Sequence, residues 1–297
     1  MLAPIIEIFC DLDDFCKDFF QGQAAKVLPN PNRKRRRECR MSISEIMTII
    51  VLFHLSHYRT FKDFYHECVL FHLRNYFPQL VSYNRFVELQ ASVIAPLTAY
   101  LLSKRGKETD LYYVDSSPIK VCHNRRIYKH KVFKGIAERG KHSMGWFFGF
   151  KLHLAINHKG ELMNFCFTIG NKSDLSVLRF LLKNLKGLAA GDKGYISKQK
   201  TEELTKQGLQ FITKIRKNMK QKMMSSFAKF FLSKRGVVET VIEQLKSICQ
   251  IEHTRHRSPF NFITNLLAAL AAYVLKPRKP SLKFNNLPTK LAFLTSN

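Results

Sequence analysis

The sequence predicts a helical N-terminal region followed by an α/β domain built on a mixed sheet. Three observations carry this. Residues 1–106 hold helix-start signals and apolar runs of helical length, with no alternating segment. After Lys107 the pattern changes to short β-type runs separated by turn signals. Those runs then alternate with amphipathic segments in the order strand, hairpin, helix, strand, helix, strand, helix, which describes a sheet with helices packed on it.

In chain order, Ser42 and Glu45 have the spacing of a capping box ahead of IMTIIVLFHL (46–55), a buried helix. A second helix is expected over FKDFYHECVLFHL (61–73). A third begins near Tyr83 in YNRFVELQASVIAPL, with Pro96 ending or kinking it. The turns at 57–60 and 78–82 give a helix-turn-helix-like bundle. LYYVD (111–115) reads as a strand ending in Asp115. FFGFKLHLAINH (147–158) alternates about Leu152, Leu154 and Ile156, and the Asn157–Gly160 turn leads into ELMNFCFTIG (161–170), completing a hairpin. A helix over DLSVLRFLLKNL (174–185), with Asp174 as its cap, precedes the strand GLAAGD (187–192). Next come a helix over 196–208 stopped by Gly208, the strand QFITKI (210–215) and the amphipathic helix VVETVIEQLKSICQI (237–251). A second apolar helix covers LLAALAAYVL (266–275), and a basic, proline-broken tail follows at 276–297. The expected partition is a helical region 1–106, an α/β domain 107–275 and the tail.

The bulk numbers narrow the function. Of the 297 residues 45% are hydrophobic, which excludes a largely disordered chain. Lys plus Arg number 49 against 22 Asp plus Glu, a net charge of +27. A folded chain this basic repels itself unless it meets a polyanion, and nucleic acid leads the candidates. The two apolar runs are each 10 residues long, about half of what crosses a bilayer, so no membrane partner is expected. The seven cysteines are scattered without a CxxC pair, as in a reducing cytosol.

Acidic residues are scarce, so their positions are informative. Asp115 and Asp192 each follow apolar strand residues, and Gly191 and Gly194 flank Asp192. Ligands bind at the carboxyl ends of strands in α/β sheets. Glu239 lies on the amphipathic helix, in a row with Arg235 and Lys246 beside the apolar stripe. Taken singly, the three read as a strand-end turn residue, a loop residue and a solvated helix residue. Together they can converge, and three converging carboxylates require a cation. Hard oxygen donors select Mg²⁺ or Mn²⁺, and on a basic chain that suggests two-metal phosphodiester chemistry.

These residues resemble the DDE transposases of bacterial insertion sequences, whose catalytic domain is RNase H-like. The spacings are 192 − 115 = 77 and 239 − 192 = 47. RGVVETVIEQLK matches an Arg-x3-Glu-x6-Lys signature through Arg235, Glu239 and Lys246, with Leu232 where a tyrosine is expected. YYVDSSPIKVC, GWFFGFKLHLAIN, AAGDKGYIS and HTRHRSPFNFITNLLAALAAYVLKP are similar to the insertion-sequence 982 family, over roughly residues 40–277.

The resemblance implies catalytic and metal-binding roles for Asp115, Asp192 and Glu239 with two Mg²⁺ or Mn²⁺ ions. It implies double-stranded DNA as partner (terminal inverted repeats and target), a homodimer or larger assembly on DNA, and a bacterial, nucleoid-associated, cytoplasmic setting. The helical region is expected to bind DNA, aided by the basic arm RKRRRECR (33–40), which contains Arg33, Lys34, Arg35, Arg36 and Arg37. Lys151, His153, Lys193, Arg235 and Lys246 are further candidates for phosphate contacts. So are Arg125 and Arg126, in the Lys-, Arg- and His-rich loop 123–143. Trp146, beside Phe147 and Phe148, is expected in the core. His253 and His256 are a weaker same-face pair. A nuclease without strand transfer and an inactive DNA-binding derivative share these sequence features.

Overall fold

The computed structural model describes residues 3–24, 39–143, 145–214, 225–252 and 256–283. The basic arm with Arg33, Lys34, Arg35, Arg36 and Arg37, and also His253, lie outside them. The chain divides into two compact units, Met1–Lys104 with Gln244–Lys276, and Arg105–Glu243 with Pro277–Asn297. The first boundary falls within two residues of the expected one. The second differs, because 244–276 groups with the helical unit and not with the sheet.

The helical unit contains α1 (Ala3–Ala24) and α2 (Ile43–Leu55). The capping box forms, with Ser42 Oγ accepting from Glu45 N–H and Glu45 Oε2 accepting from Ser42 N–H at 2.7 Å. α3 (Phe61–Asp63) runs through a π-helical turn (Phe64–Val69) into α4 (Leu70–His72). α5 (Tyr83–Leu89) tightens to a 3₁₀ turn over Gln90–Val93 before α6 (Ile94–Ser103). The tightening comes just before Pro96, whose missing N–H and ring disrupt regular α-helical bonding. Taken as one stretch, Tyr83–Ser103 is 21 residues and contains an 18-residue window of mean hydropathy 1.3, long and apolar enough by length and composition alone to cross a bilayer. This corrects the expectation that no stretch would. Its Phe86, Val93, Leu97 and Tyr100 are buried within the unit. α11 (Pro259–Leu275) packs its buried Leu266, Leu267, Leu270 and Tyr273 among α2 and α6. That packing is why this C-terminal stretch belongs with the N-terminal helices.

The second unit has six strands among the described residues: β1 (Leu111–Cys122), β2 (Glu138–His142), β3 (Gly145–Asn157), β4 (Leu162–Ile169), β5 (Gly187–Gly191) and β6 (Leu209–Thr213). The order is β2-β3-β1-β5-β6, with β4 sharing the outer edge of β3 with β2. β3 is antiparallel to β1, β2 and β4, whereas β1, β5 and β6 run parallel. α7 (Leu178–Leu181), α8 (Lys198–Lys206) and α9 (Ser226–Ser233) accompany the sheet, and α10 (Gly236–Ser247) follows α9.

β1 is covered on both faces. Tyr112 and Val114 join Leu178, Leu181, Ala189, Leu204 and Phe211 in one core. Tyr113 stacks on Phe231 of α9 at 4.4 Å and donates its hydroxyl to the Phe231 carbonyl. Residues 111–114 are therefore a continuous apolar run, as expected of a strand in a covered parallel sheet.

Three details depart from expectation. β1 continues seven residues past Asp115, because Ser116–Cys122 pairs with Phe148–His153 of β3. The helix expected over 174–185 is a 3₁₀ turn (Asp174–Val177) and one turn of α7. The loop 123–143 contains a 3₁₀ turn (Asn124–Lys129) and β2. In the tail, Leu282 N–H bonds the His158 carbonyl at 2.8 Å, tying residues 277–283 to the β3–β4 turn.

Candidate active site

The three carboxylates reach one place by simple geometry. Side chains alternate along a strand, so Asp115 shares the Tyr113 face of β1, the face toward α9. The β1–β5 ladder aligns Tyr113 with Ala190, and two further steps along each strand bring Asp115 level with Asp192. Asp115 is thus mid-strand, not at a strand end, but it lies just past the end of the parallel ladder. Asp192 leaves β5 into the 3₁₀ turn Lys193–Tyr195. Glu239 lies in the first turn of α10, where the helix N-terminus favours a carboxylate.

At the centre stands Arg235. It precedes Gly236, the first residue of α10, so it belongs to the α9–α10 turn and not to the helix. Its guanidinium lies 2.7 Å from Glu239 Oε1, 3.6 Å from Asp192 Oδ1 and 3.7 Å from Asp115 Oδ2. The cation that three converging carboxylates demand is here a side chain. Among the described residues no three metal-ligating side chains are gathered closely enough to hold an ion directly.

Asp115 is the most enclosed of the three. Burial raises its pKa to about 6, and the charges of Asp192 and Glu239 push the same way. The Ser116 N–H, donating to Asp115 Oδ1 at 2.8 Å, and Arg235 oppose that rise.

A second polar group on the sheet, centred on Asp174, was assigned otherwise from the sequence. Asp174 does not cap a helix. Its Oδ1 accepts from Lys151 Nζ at 2.9 Å, and Lys151 also donates to the Lys172 carbonyl. His153 is fully buried, with Nε2 2.8 Å from Thr168 Oγ1 and Nδ1 3.9 Å from Asp174. Burial lowers its pKa to about 4, leaving it neutral. Neither His153 nor the tethered Lys151 is placed to meet a phosphate, which corrects that expectation. Tyr195 is buried, and the charges of Asp174 and Asp115 add to burial in raising its pKa. The scarcity of acidic residues was the available signal for Asp174.

Of the other candidates, Lys193 is exposed next to Asp192. Lys246 lies 3.4 Å from Glu252, and the chain partition places it in the helical unit. Arg125 and Arg126 are exposed on the 3₁₀ turn, which Asn124 anchors by donating to the Trp146 carbonyl at 2.7 Å. Trp146 is 59% exposed, with Lys141 over its ring, not a core anchor. Phe147 and Phe148 take the buried positions.

Residues 105–259 match the family described as transposase DDE domain. The match covers just over half of the chain, and the chain belongs to that family. Among solved structures, the cryo-EM structure of a piggyBac transposase synaptic complex with hairpin DNA is similar over 90% of this chain and 71% of that one. The identity is 8% and the TM-score 0.49, a likeness too distant to carry residue roles across. No curated protein matches the chain.

Proposed function

We propose that this transposase cleaves DNA at the ends of an insertion sequence and joins those ends to target DNA, with Asp115, Asp192 and Glu239 holding two Mg²⁺ or Mn²⁺ ions. The observation that carries this is the convergence of three carboxylates from β1, β5 and α10 on one guanidinium. The donor chemistry suits a hard divalent ion, since the oxygens are anionic, come from three separate elements and surround a positive charge; an ion would take the place of the Arg235 guanidinium and draw the three carboxylates closer. Such an ion, when bound, activates a water or 3′-hydroxyl and neutralises charge on the phosphodiester.

The chain's own residues prepare that chemistry. The Ser116 N–H fixes the Asp115 carboxylate, and covered β1 gives it a rigid base. Arg235 keeps the three charges together before metal arrives. Lys193, Arg125, Arg126 and the exposed Trp146 offer charge and a ring face to a DNA strand. The strand order, three antiparallel strands leading into parallel ones, supports an RNase H-like reading. The motifs quoted above support placement beside the insertion-sequence 982 family, with paired chains acting on terminal repeats in a bacterial cytoplasm.

The test is cleavage and joining of DNA bearing the element's own ends, with Mg²⁺ or Mn²⁺. Wild type should give both products. Hydrolysis without joined product would favour a nuclease. Binding with neither product would favour an inactive derivative.

A further inference from the structure

Within the helical unit lies a cavity of about 1090 Å³, walled by α2, the α3–π-turn stretch, α5 and the start of α11. No Asp or Glu is among its lining residues. The Asp63 carboxylate stands behind one lining residue, accepting from the Thr60 hydroxyl at 2.6 Å.

Three chemistries are layered in it. Arg59, Lys62 and Arg257 are exposed lining residues, and among the described residues none of them is in an ion pair. The Tyr83 ring stands in the wall, 5.5 Å from the His66 ring and 6.3 Å from that of Phe61. The interior is uncharged, with apolar Ile50 and Phe53 beside polar groups. Thr264 and Gln90 are buried there with His54, whose Nδ1 donates to the Cys249 carbonyl at 2.6 Å. Burial lowers the His54 pKa to about 4, so the interior carries no charge of its own from this ring.

Cations at the mouth, ring faces in the wall and neutral hydrogen-bonding groups inside match the parts of a nucleotide: phosphate, base plane and base edge. From this layering we infer that the cavity receives an unpaired nucleotide of a DNA strand, with flanking phosphates on Arg59, Lys62 and Arg257. A strand fits better than a free nucleotide, because three separate cations exceed what one monophosphate occupies. An unpaired base fits better than a duplex, since a stacked base exposes only its edges. The volume exceeds the usual range for a small-molecule pocket, roughly 300–1,000 Å³, leaving space for adjoining sugar and phosphate. The inference rests on the reading that this chain acts on DNA.

The experiment uses the full chain and a single-stranded oligonucleotide of about 8 residues carrying 2-aminopurine, with a blunt duplex and free deoxynucleotides as competitors. Wild type should bind the oligonucleotide and quench the probe by stacking. Lys62→Glu combined with Arg257→Glu should weaken binding at least tenfold, with the circular dichroism spectrum kept. Tyr83→Leu should lose most of the quench. Unchanged oligonucleotide affinity in the charge-reversed protein, with cleavage retained, overturns the cavity assignment alone. Displacement by free deoxynucleotides more readily than by the oligonucleotide overturns the strand as occupant. Failure of wild type to bind any DNA overturns the functional reading beneath it.

Discussion

Replacing Arg235 by Gln removes the one positive charge that three carboxylates share. The three contacts span 2.7–3.7 Å, and at an effective dielectric constant of about 20 each has a gross attraction of about 4–6 kcal/mol. Desolvation offsets most of that. Asp192 and Glu239 have side chains 51% and 57% exposed, so solvent screening leaves about 0.5–1 kcal/mol for each pair. Asp115, 17% exposed, loses its counter-charge in a poorly solvated place, which costs about 2 kcal/mol even if it responds by binding a proton. The sum is about 3 kcal/mol in metal-free protein. For a unit of this size that lowers Tm by roughly 6–12 °C. Differential scanning fluorimetry in chelator, then with Mn²⁺, reads it. The variant should melt lower than wild type in chelator and gain more from Mn²⁺, and calorimetric titration should show tighter Mn²⁺ binding, since no guanidinium needs displacing. Equal melting in chelator together with an equal Mn²⁺ gain would refute the shared-cation argument.

Further outcomes follow from other parts of the structure. Buried His54, with its pKa lowered to about 4, is neutral in the folded state while its unfolded counterpart protonates near 6.5. The unfolded chain therefore binds more protons at this residue between those values, and the contribution of His54 to stability should fall as pH drops from 6.5 toward 4, by about 1.4 kcal/mol per pH unit; buried His153 adds to that fall and Asp115, raised to about 6, opposes part of it. Urea melts across that range test this, and a flat profile would contradict it. Gly187 opens β5 at φ +105°, where an added Cβ would stand 2.3 Å from the Asp110 carbonyl oxygen. Gly187→Ala should cost about 2 kcal/mol or more, and an unchanged denaturation midpoint would argue against that close approach. DNA affinity should fall steeply with salt, each neutralised phosphate adding about −0.9 to the log–log slope; salt-independent binding would exclude a phosphate-dominated interface.

The carboxylates were legible because they interrupt apolar runs in a chain with few acids, and because strand and helix periodicity places them on definable faces. Periodicity also located β3, while a turn signal, a short apolar run and capping-box spacing located the Asn157–Gly160 turn, β5 and the Ser42 cap. What escaped was non-local. Asp115 looked terminal because its apolar run stops there, whereas pairing with β3 carries the strand on through polar residues to Cys122. Lys151 and His153 alternate with leucines and so read as a solvent face. Thr168 of β4 and Asp174 reach onto that face, and nothing near 151–153 in sequence announces either. The grouping of α11 with the N-terminal helices is likewise a contact across more than 150 positions of chain. Arg235 as the centre of the carboxylates was half visible, through its spacing from Glu239, but its reach to Asp115 and Asp192 needed the fold.

The central claim is that Asp115, Asp192 and Glu239 form the cleavage centre. The most direct measurement is Mn²⁺-dependent cleavage of end-bearing DNA by Asp192→Asn protein, with DNA binding followed on the same sample. Loss of cleavage by at least a hundredfold with binding retained is the predicted result. Cleavage at the wild-type rate would contradict it.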